Sequence, residues 1–206
     1  MEAAQVQQNW RIHKGRLVTR PGFKLLGSGL PLSGAPVMGG SVFIDEALLA
    51  RAMAITKTKL YRYDTGSSAW VEVTADVGVS LTGGATDWFE AVSWNNKYIF
   101  SQRVNTLKAY VSGAGTFGHL TADVNSPAAA HLEVFADRVV AGDTFEGGTR
   151  FPWRLRWPVS GNELDWTGIG SGSVDFVDTP GRITRLSRLA GKGIIYKSDS
   201  IITATR

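Results

Sequence analysis

The chain has 206 residues, 43% of them hydrophobic and only 19% charged, so it can bury a substantial core and is not a disordered polymer. No run approaches the ~18 to 20 apolar residues of a membrane helix, and zero cysteines remove disulfides, thiolate metal sites and cysteine nucleophiles together. The net charge of +4 permits contact with nucleic acid or an acidic partner without demanding either.

Met1-Glu2-Ala3-Ala4-Gln5 places an acid where a signal peptide wants a base, and no apolar stretch follows. With the cysteine count, this predicts synthesis in a cytoplasm. Residues 1–36 read as an extended basic arm or linker, polar at first and then crowded with Gly27-Ser28-Gly29, Pro31, Gly34 and Pro36. Arg11, Lys14, Arg16, Arg20 and Lys24 stand against Glu2 alone over the first 24 residues. Such a segment orders only when something covers it. Arg11, Lys14, Arg16 and Arg20 are therefore candidate contacts with a neighbouring subunit.

Residues 37–206 read as β throughout. Glycine is in excess, at 24 residues against a usual ~7% of a chain, and scattered without a period of three. Beside abundant Val, Ile, Thr, Tyr and Trp, that is the composition of many short strands and tight turns. Ser41-Val42-Phe43-Ile44 and Ala52-Met53-Ala54-Ile55 are short apolar runs. Asp45–Arg51 between them has room for one or two helical turns. Lys59–Asp64 alternates, a Thr-Gly-Ser-Ser turn follows, and Ala69–Val73 alternates again, which reads as a hairpin.

A similar unit recurs. Ala91–Trp94 turns at Asn95-Asn96 into Lys97–Phe100, and Leu132–Phe135 turns at Ala136-Asp137 into Arg138–Ala141. Leu186–Leu189 turns at Ala190-Gly191 into Lys192–Tyr196. Each copy is an apolar strand, two turn residues, a Lys or Arg, and a second apolar strand. With Lys59 as the first anchor, the basic residues fall at 59, 97, 138 and 192. A repeat of about 40 residues is the size of one propeller blade, so the expected fold is all-β, with repeated antiparallel hairpins forming a partial or small β-propeller. The chain stops at Ile201–Arg206 inside an alternating pattern, which predicts either a longer parent chain or a sheet completed by a partner.

Few residues are arranged for catalysis. Gly113-Ala114-Gly115-Thr116-Phe117-Gly118 matches G-x-G-x-x-G, but Asn125-Ser126-Pro127 leave no room for the helix a dinucleotide site requires. It reads as a glycine-rich turn. His13, His119 and His131 stand apart in the sequence. Asp143 with Glu146, and Asp175 with Asp178, lack the ligand count of a dedicated cation loop. The pair Asp165 and Asp175 has nothing to single it out for glycoside cleavage. No cofactor, metal or enzymatic activity is expected.

The densest feature is Arg150-Phe151-Pro152-Trp153-Arg154-Leu155-Arg156-Trp157-Pro158. At strand period, Trp153, Leu155 and Trp157 share one face while Arg154 and Arg156 share the other. The stretch suits a blade strand with its arginines in water. It also suits a subunit interface, because Trp and Arg dominate such contacts. Trp153, Arg154, Arg156 and Trp157 are accordingly the second group of candidate interface residues. Arg182, Arg185 and Arg188 add charge, but not on a single strand face, so direct DNA binding is not expected.

The order of several blocks carries a resemblance. Gly15–Phe23, Lys59–Tyr63 with Trp70, and Val134–Val140 are followed by Arg154-Leu155-Arg156-Trp157, then Leu164-Asp165-Trp166-Thr167-Gly168, then Gly170-Ser171-Gly172. Asp178-Thr179-Pro180-Gly181-Arg182-Ile183-Thr184 and Tyr196–Ser200 close the series. This succession resembles the β-propeller virion proteins of tailed bacteriophages, of the tail nozzle or hub type, over most of the chain. The resemblance implies a structural virion protein without catalysis, assembled as a homo-oligomeric ring, commonly sixfold, around the DNA exit channel. Its implied neighbours are portal, adaptor and tail-fibre components, with DNA passing through non-specifically, and its implied location is the virion tail. Chains of that kind are usually much longer, which leaves the blade number open. The alternative function is a carbohydrate-binding or glycoside-cleaving propeller in host-surface recognition, with tryptophans such as Trp70 or Trp166 stacking on sugars.

Overall fold

The computed structural model describes residues 36–45, 47–74, 81–111 and 126–205, and the backbone of 10–13 and 16–19. Its regular structure is all-β. Strands β1 (Trp10–His13) and β2 (Arg16–Thr19) form an antiparallel hairpin, pairing Trp10 with Thr19 and His13 with Arg16. The arm expected to be extended therefore carries a hairpin, with Arg11 and Arg16 on its two strands. Lys14 and Arg20 lie outside the described residues.

Four antiparallel sheets follow in chain order. The first contains β3 (Val37–Ile44), β4 (Ala50–Thr56), β5 (Leu60–Asp64) and β6 (Ala69–Glu72). The second contains β7 (Glu90–Trp94), β8 (Lys97–Ser101) and β9 (Lys108–Val111). The third contains β10 (Ala128–Phe135), β11 (Arg138–Glu146), β12 (Thr149–Trp157) and β13 (Gly172–Asp175), and the fourth β14 (Ile183–Leu189), β15 (Lys192–Lys197) and β16 (Ile201–Ala204). Within every sheet the strands lie in sequence order. The first strands of successive sheets also contact one another, β3 with β7, β7 with β10 and β10 with β14. This is a propeller-like array of small blades, and no comparable contact returns from β14 to β3 among the described residues.

Three hairpins turn in the same way. Asn95-Asn96, Ala136-Asp137 and Ala190-Gly191 all have positive φ at both central residues, the backbone of a two-residue turn whose twist matches its strands. The first blade departs from the expected phase. Its counterpart of these hairpins is β3–β4, while the Lys59 hairpin is the outer pair β5–β6. The helical turns allowed for Asp45–Arg51 do not form either. Asp45 closes a longer loop instead, accepting from Leu49 N at 2.8 Å and from Arg51 Nε at 2.9 Å, and β4 begins at Ala50. That backbone hydrogen bond, with the Arg51 bond and charge, holds the Asp45 carboxyl below the usual range against the opposing effect of burial.

The core is divided among the gaps between sheets. Met38, Phe43, Ile55 and Leu60 meet Tyr98, Phe100 and Tyr110 between the first and second sheets. Trp94, Ile99, Leu107 and Ala109 meet Leu132, Val139, Ala141 and Trp166 between the second and third. The last gap is thinner, with Val140 and Leu155 against Ile183, Leu186 and Ile195. Gly142 is closely packed there: a Cβ would lie 3.2 Å from Leu186 Cδ1 and 3.3 Å from Ile183 Cγ2, so those methyl groups would have to give by a few tenths of an ångström.

Candidate functional site

Strand β12 is the wall that separates the last two gaps, and its two faces differ in chemistry. Its register with β11 slips between Gly142 and Thr144, and Asp143 takes a φ of 53° at the irregularity. Asp143 is fully buried and accepts two bonds from Arg150, Nε at 2.7 Å and Nη2 at 2.6 Å, with Arg103 Nη2 at 3.4 Å. Arg154 makes the same two-pronged contact with Asp175, at 2.7 and 2.8 Å, and its guanidinium lies 3.8 Å from the centre of the Phe151 ring. Arg156 donates to Glu146 at 2.6 Å and to the carbonyl of Trp166 at 3.3 Å. The hydrogen bond from Arg154 lowers the Asp175 carboxyl below its usual range.

These contacts correct the expectation that Arg154 and Arg156 stand in water. Both are half-buried and paired within the chain, so they brace the blade and do not form a free cationic stripe. The same pairing takes Asp143, Glu146 and Asp175 away from cation binding. Asp165 is engaged in its own turn, accepting from Thr167 N at 3.1 Å and Gly168 N at 2.7 Å. Among the described residues, no group of three His, Asp or Glu could hold a metal ion. His131, isolated in the sequence, has its Nδ1 3.0 Å from Glu90 Oε2, and Glu90 also receives Arg185 Nη1 at 2.7 Å. That contact runs across β10, β7 and β14 and so joins three blades. The G-x-G-x-x-G segment at 113–118, His13 and His119 offer no described side chain to test.

The apolar residues of β12 border two clefts. Leu155 and Trp157 line one of about 410 Å³ with Phe135, Val140, Val174 and Phe176, together with Ala204 and Thr205 at the end of β16. Trp153 lines another of about 420 Å³ with Pro152, Phe176, Val177, Pro180 and Arg182. Phe176 belongs to both, so the two are neighbours. Trp153 is 38% exposed and Val177 63%, while Trp157 is half-buried. Neighbouring apolar openings of this kind mark contact surfaces. Trp153 and Trp157, singled out from the sequence, border these clefts; Val174, Phe176 and Val177 border them too but lie on β13 and the following loop with no periodic signal. The sugar-stacking expectation fails for Trp166, which is 2% exposed and donates its indole N–H to Glu163 O at 2.9 Å. Trp70 is half-buried against Tyr63, with ring centres 5.5 Å apart.

Comparison of the sequence with protein families and with curated proteins finds no match. Among solved structures, the chain is similar to BamB from Moraxella catarrhalis, with 11% identity and a TM-score of 0.38. That similarity covers 74% of this chain and 53% of the BamB chain, so the chain spans about half of that protein's length.

Proposed function

We propose that this chain is a structural protein of a tailed-phage virion, a ring-forming nozzle or hub component that surrounds the DNA exit channel and works through contact surfaces without catalysis. The ordered resemblance from Gly15 to Ser200 suggests the class of particle. The observation that carries a contact role is the pair of apolar clefts around Phe176, which leaves Trp153 and Val177 open to a neighbour. Portal, adaptor or fibre proteins are the expected partners in the tail. The internal pairing of Arg150, Arg154 and Arg156 favours apolar docking over phosphate binding at this surface.

The test is the mass of the purified chain by light scattering, with end-on electron-microscope class averages of the same peak. A closed ring of a few copies, commonly six in such proteins, is expected, and Trp153→Ala should leave the subunit folded while weakening the ring. A monomer at every concentration, which also fails to join a ring when mixed with tail components, overturns the reading.

A further inference from the structure

Lys197 is a buried lysine without a carboxylate. It lies on β15, is 5% exposed, and makes no ion pair among the described residues. Its ammonium donates instead to the carbonyls of Phe176 and Thr179 and, at 2.8 Å, to the Thr179 hydroxyl. A buried charge held only by neutral groups keeps its field, and that field favours a nearby anion. The three bonds clasp the segment that runs from β13 to β14. Thr179-Pro180-Gly181-Arg182 turns at the end of that segment, where Gly181 takes a φ of 89°.

The clasped segment and the Pro152-Trp153 pair of β12 together line the cleft of about 420 Å³. Its polar side chains are donors. The Trp153 indole N–H and the exposed Arg182 guanidinium have no partner among the described residues. Thr179 Oγ1 already accepts from Lys197, which leaves its own O–H to donate. The carbonyls of Trp153, Phe176, Thr179 and Arg182 are taken by Phe176 N, Lys197 and Ser198 N. Among the described residues, no carboxylate, side-chain amide or imidazole lines the cleft. Asp178 and Asp199 are exposed beside it, but neither lines it or pairs with Arg182 or Lys197.

We propose that this cleft is a binding site for a small aromatic carboxylate. The ring stacks on Trp153 among Pro152, Val177 and Pro180, where a flat apolar surface gains most. The carboxylate takes the Arg182 guanidinium and the Thr179 hydroxyl, with the Lys197 charge behind that hydroxyl. The cleft falls in the usual range of small-molecule sites, about 300–1,000 Å³, and has their mix of apolar walls and few polar groups. A neutral sugar fits less well, because its own hydroxyl donors meet no acceptor side chain here. Asp178 and Asp199 nearby favour a single negative charge over a phosphate dianion. This site does not depend on the chain's place in a virion.

The test titrates phenylacetate into the dispersed full chain, with phenylacetamide as the neutral control. Phenylacetate should bind saturably, shifting the indole N–H signal of Trp153 and the backbone amide of Arg182. Phenylacetamide has the same shape without the charge and should bind about tenfold more weakly. Arg182→Gln should abolish that preference while leaving phenylacetamide binding unchanged, and Arg182 is exposed, so the chain stays folded. Trp153→Ala should weaken both probes by about tenfold. Because the subunit is measured before any ring forms, an empty cleft leaves the ring reading standing, and a failed ring leaves the site standing. No saturable shift at Trp153, equal binding of the two probes, or binding indifferent to Arg182→Gln overturns the proposal.

Discussion

The gap between the second and third sheets and the gap between the third and fourth lie on opposite faces of the third sheet, yet among the described residues one is sealed and the other open. Both present a tryptophan. Trp166 has its indole N–H satisfied by Glu163 O, and the connection around it is tied down by Lys97 and Arg138. Trp157 is half-buried and lines an open cleft that no other described segment crosses. Residue type does not decide which tryptophan becomes core. What decides is whether a polar collar holds a loop over it.

Removing each ring should expose the contrast most strongly. Trp166→Ala leaves a cavity between two sheets and should destabilise the chain by about 3–5 kcal/mol, read from urea denaturation. Trp157→Ala removes a side chain that is only partly buried against the last gap and should lose about 1–2 kcal/mol. Equal losses would mean that the cleft is core and that the two gaps do not differ.

The arginine–carboxylate pairs of β12 sharpen the same contrast through charge. Asp143 is fully buried beneath Arg150 and Arg103, so Asp143→Asn leaves guanidinium groups facing an uncharged amide. These groups are each about a third exposed, which discounts the ~3–5 kcal/mol of a broken buried pair to about 2 kcal/mol. The equivalent Asp175→Asn acts on a more exposed pair and should lose less than about 1 kcal/mol. A thermal melt of both variants at low and moderate salt measures the difference, and the Asp175 effect alone should fade with salt.

A buried charge in the first blades gives a pH signature for the sealed part of the molecule. Lys108 is 4% exposed, and burial lowers its ammonium pKa from 10.5 to about 8. Below pH 8 both folded and unfolded chains hold the proton, and the folded state bears the full penalty. Between about 8 and 10.5 the unfolded chain binds more protons, so stability rises with pH by about 3 kcal/mol. Tyr98, pushed up to about 12 by burial, opposes this above pH 10, which makes pH 8 to 10 the clean window. Lys108→Met should flatten the rise in denaturation curves across it. A slope unchanged by that substitution would assign the effect elsewhere.

The local signals of the fold were largely legible, and the packing was not. Two-residue turns at 95–96, 136–137 and 190–191 announce themselves because positive φ at consecutive residues suits few sequences, and alternation on either side fixes the register. The first blade is misleading because Asp45 closes a longer loop through side-chain bonds, a device with no periodic pattern, while the alternation at Lys59 has the look of its counterpart. The alternation of Trp153, Leu155 and Trp157 also gave the right neighbours for β12. It could not reveal that Arg154 and Arg156 find Asp175 and Glu146, because those carboxylates come from other strands. Nor could it separate Trp166 from Trp157, since burial of Trp166 depends on a loop folding back onto another sheet.

The smallest effect lies at a turn on the open side. Ala190 holds a φ of 48° at the β14–β15 hairpin, a left-handed conformation in which its Cβ crowds the backbone, and the residue is exposed. Ala136 carries the same strain at the β10–β11 turn, but it also lines the cleft. Ala190→Gly removes the strain without touching a packed neighbour, though it adds freedom to the unfolded chain, so the net gain should be about 0.5–1 kcal/mol. Ala136→Gly should gain less, because it also takes a methyl group from the cleft wall. If the two substitutions raise the unfolding midpoint equally, the wall at Ala136 contributes nothing to packing, and the open gap is looser than its outline implies.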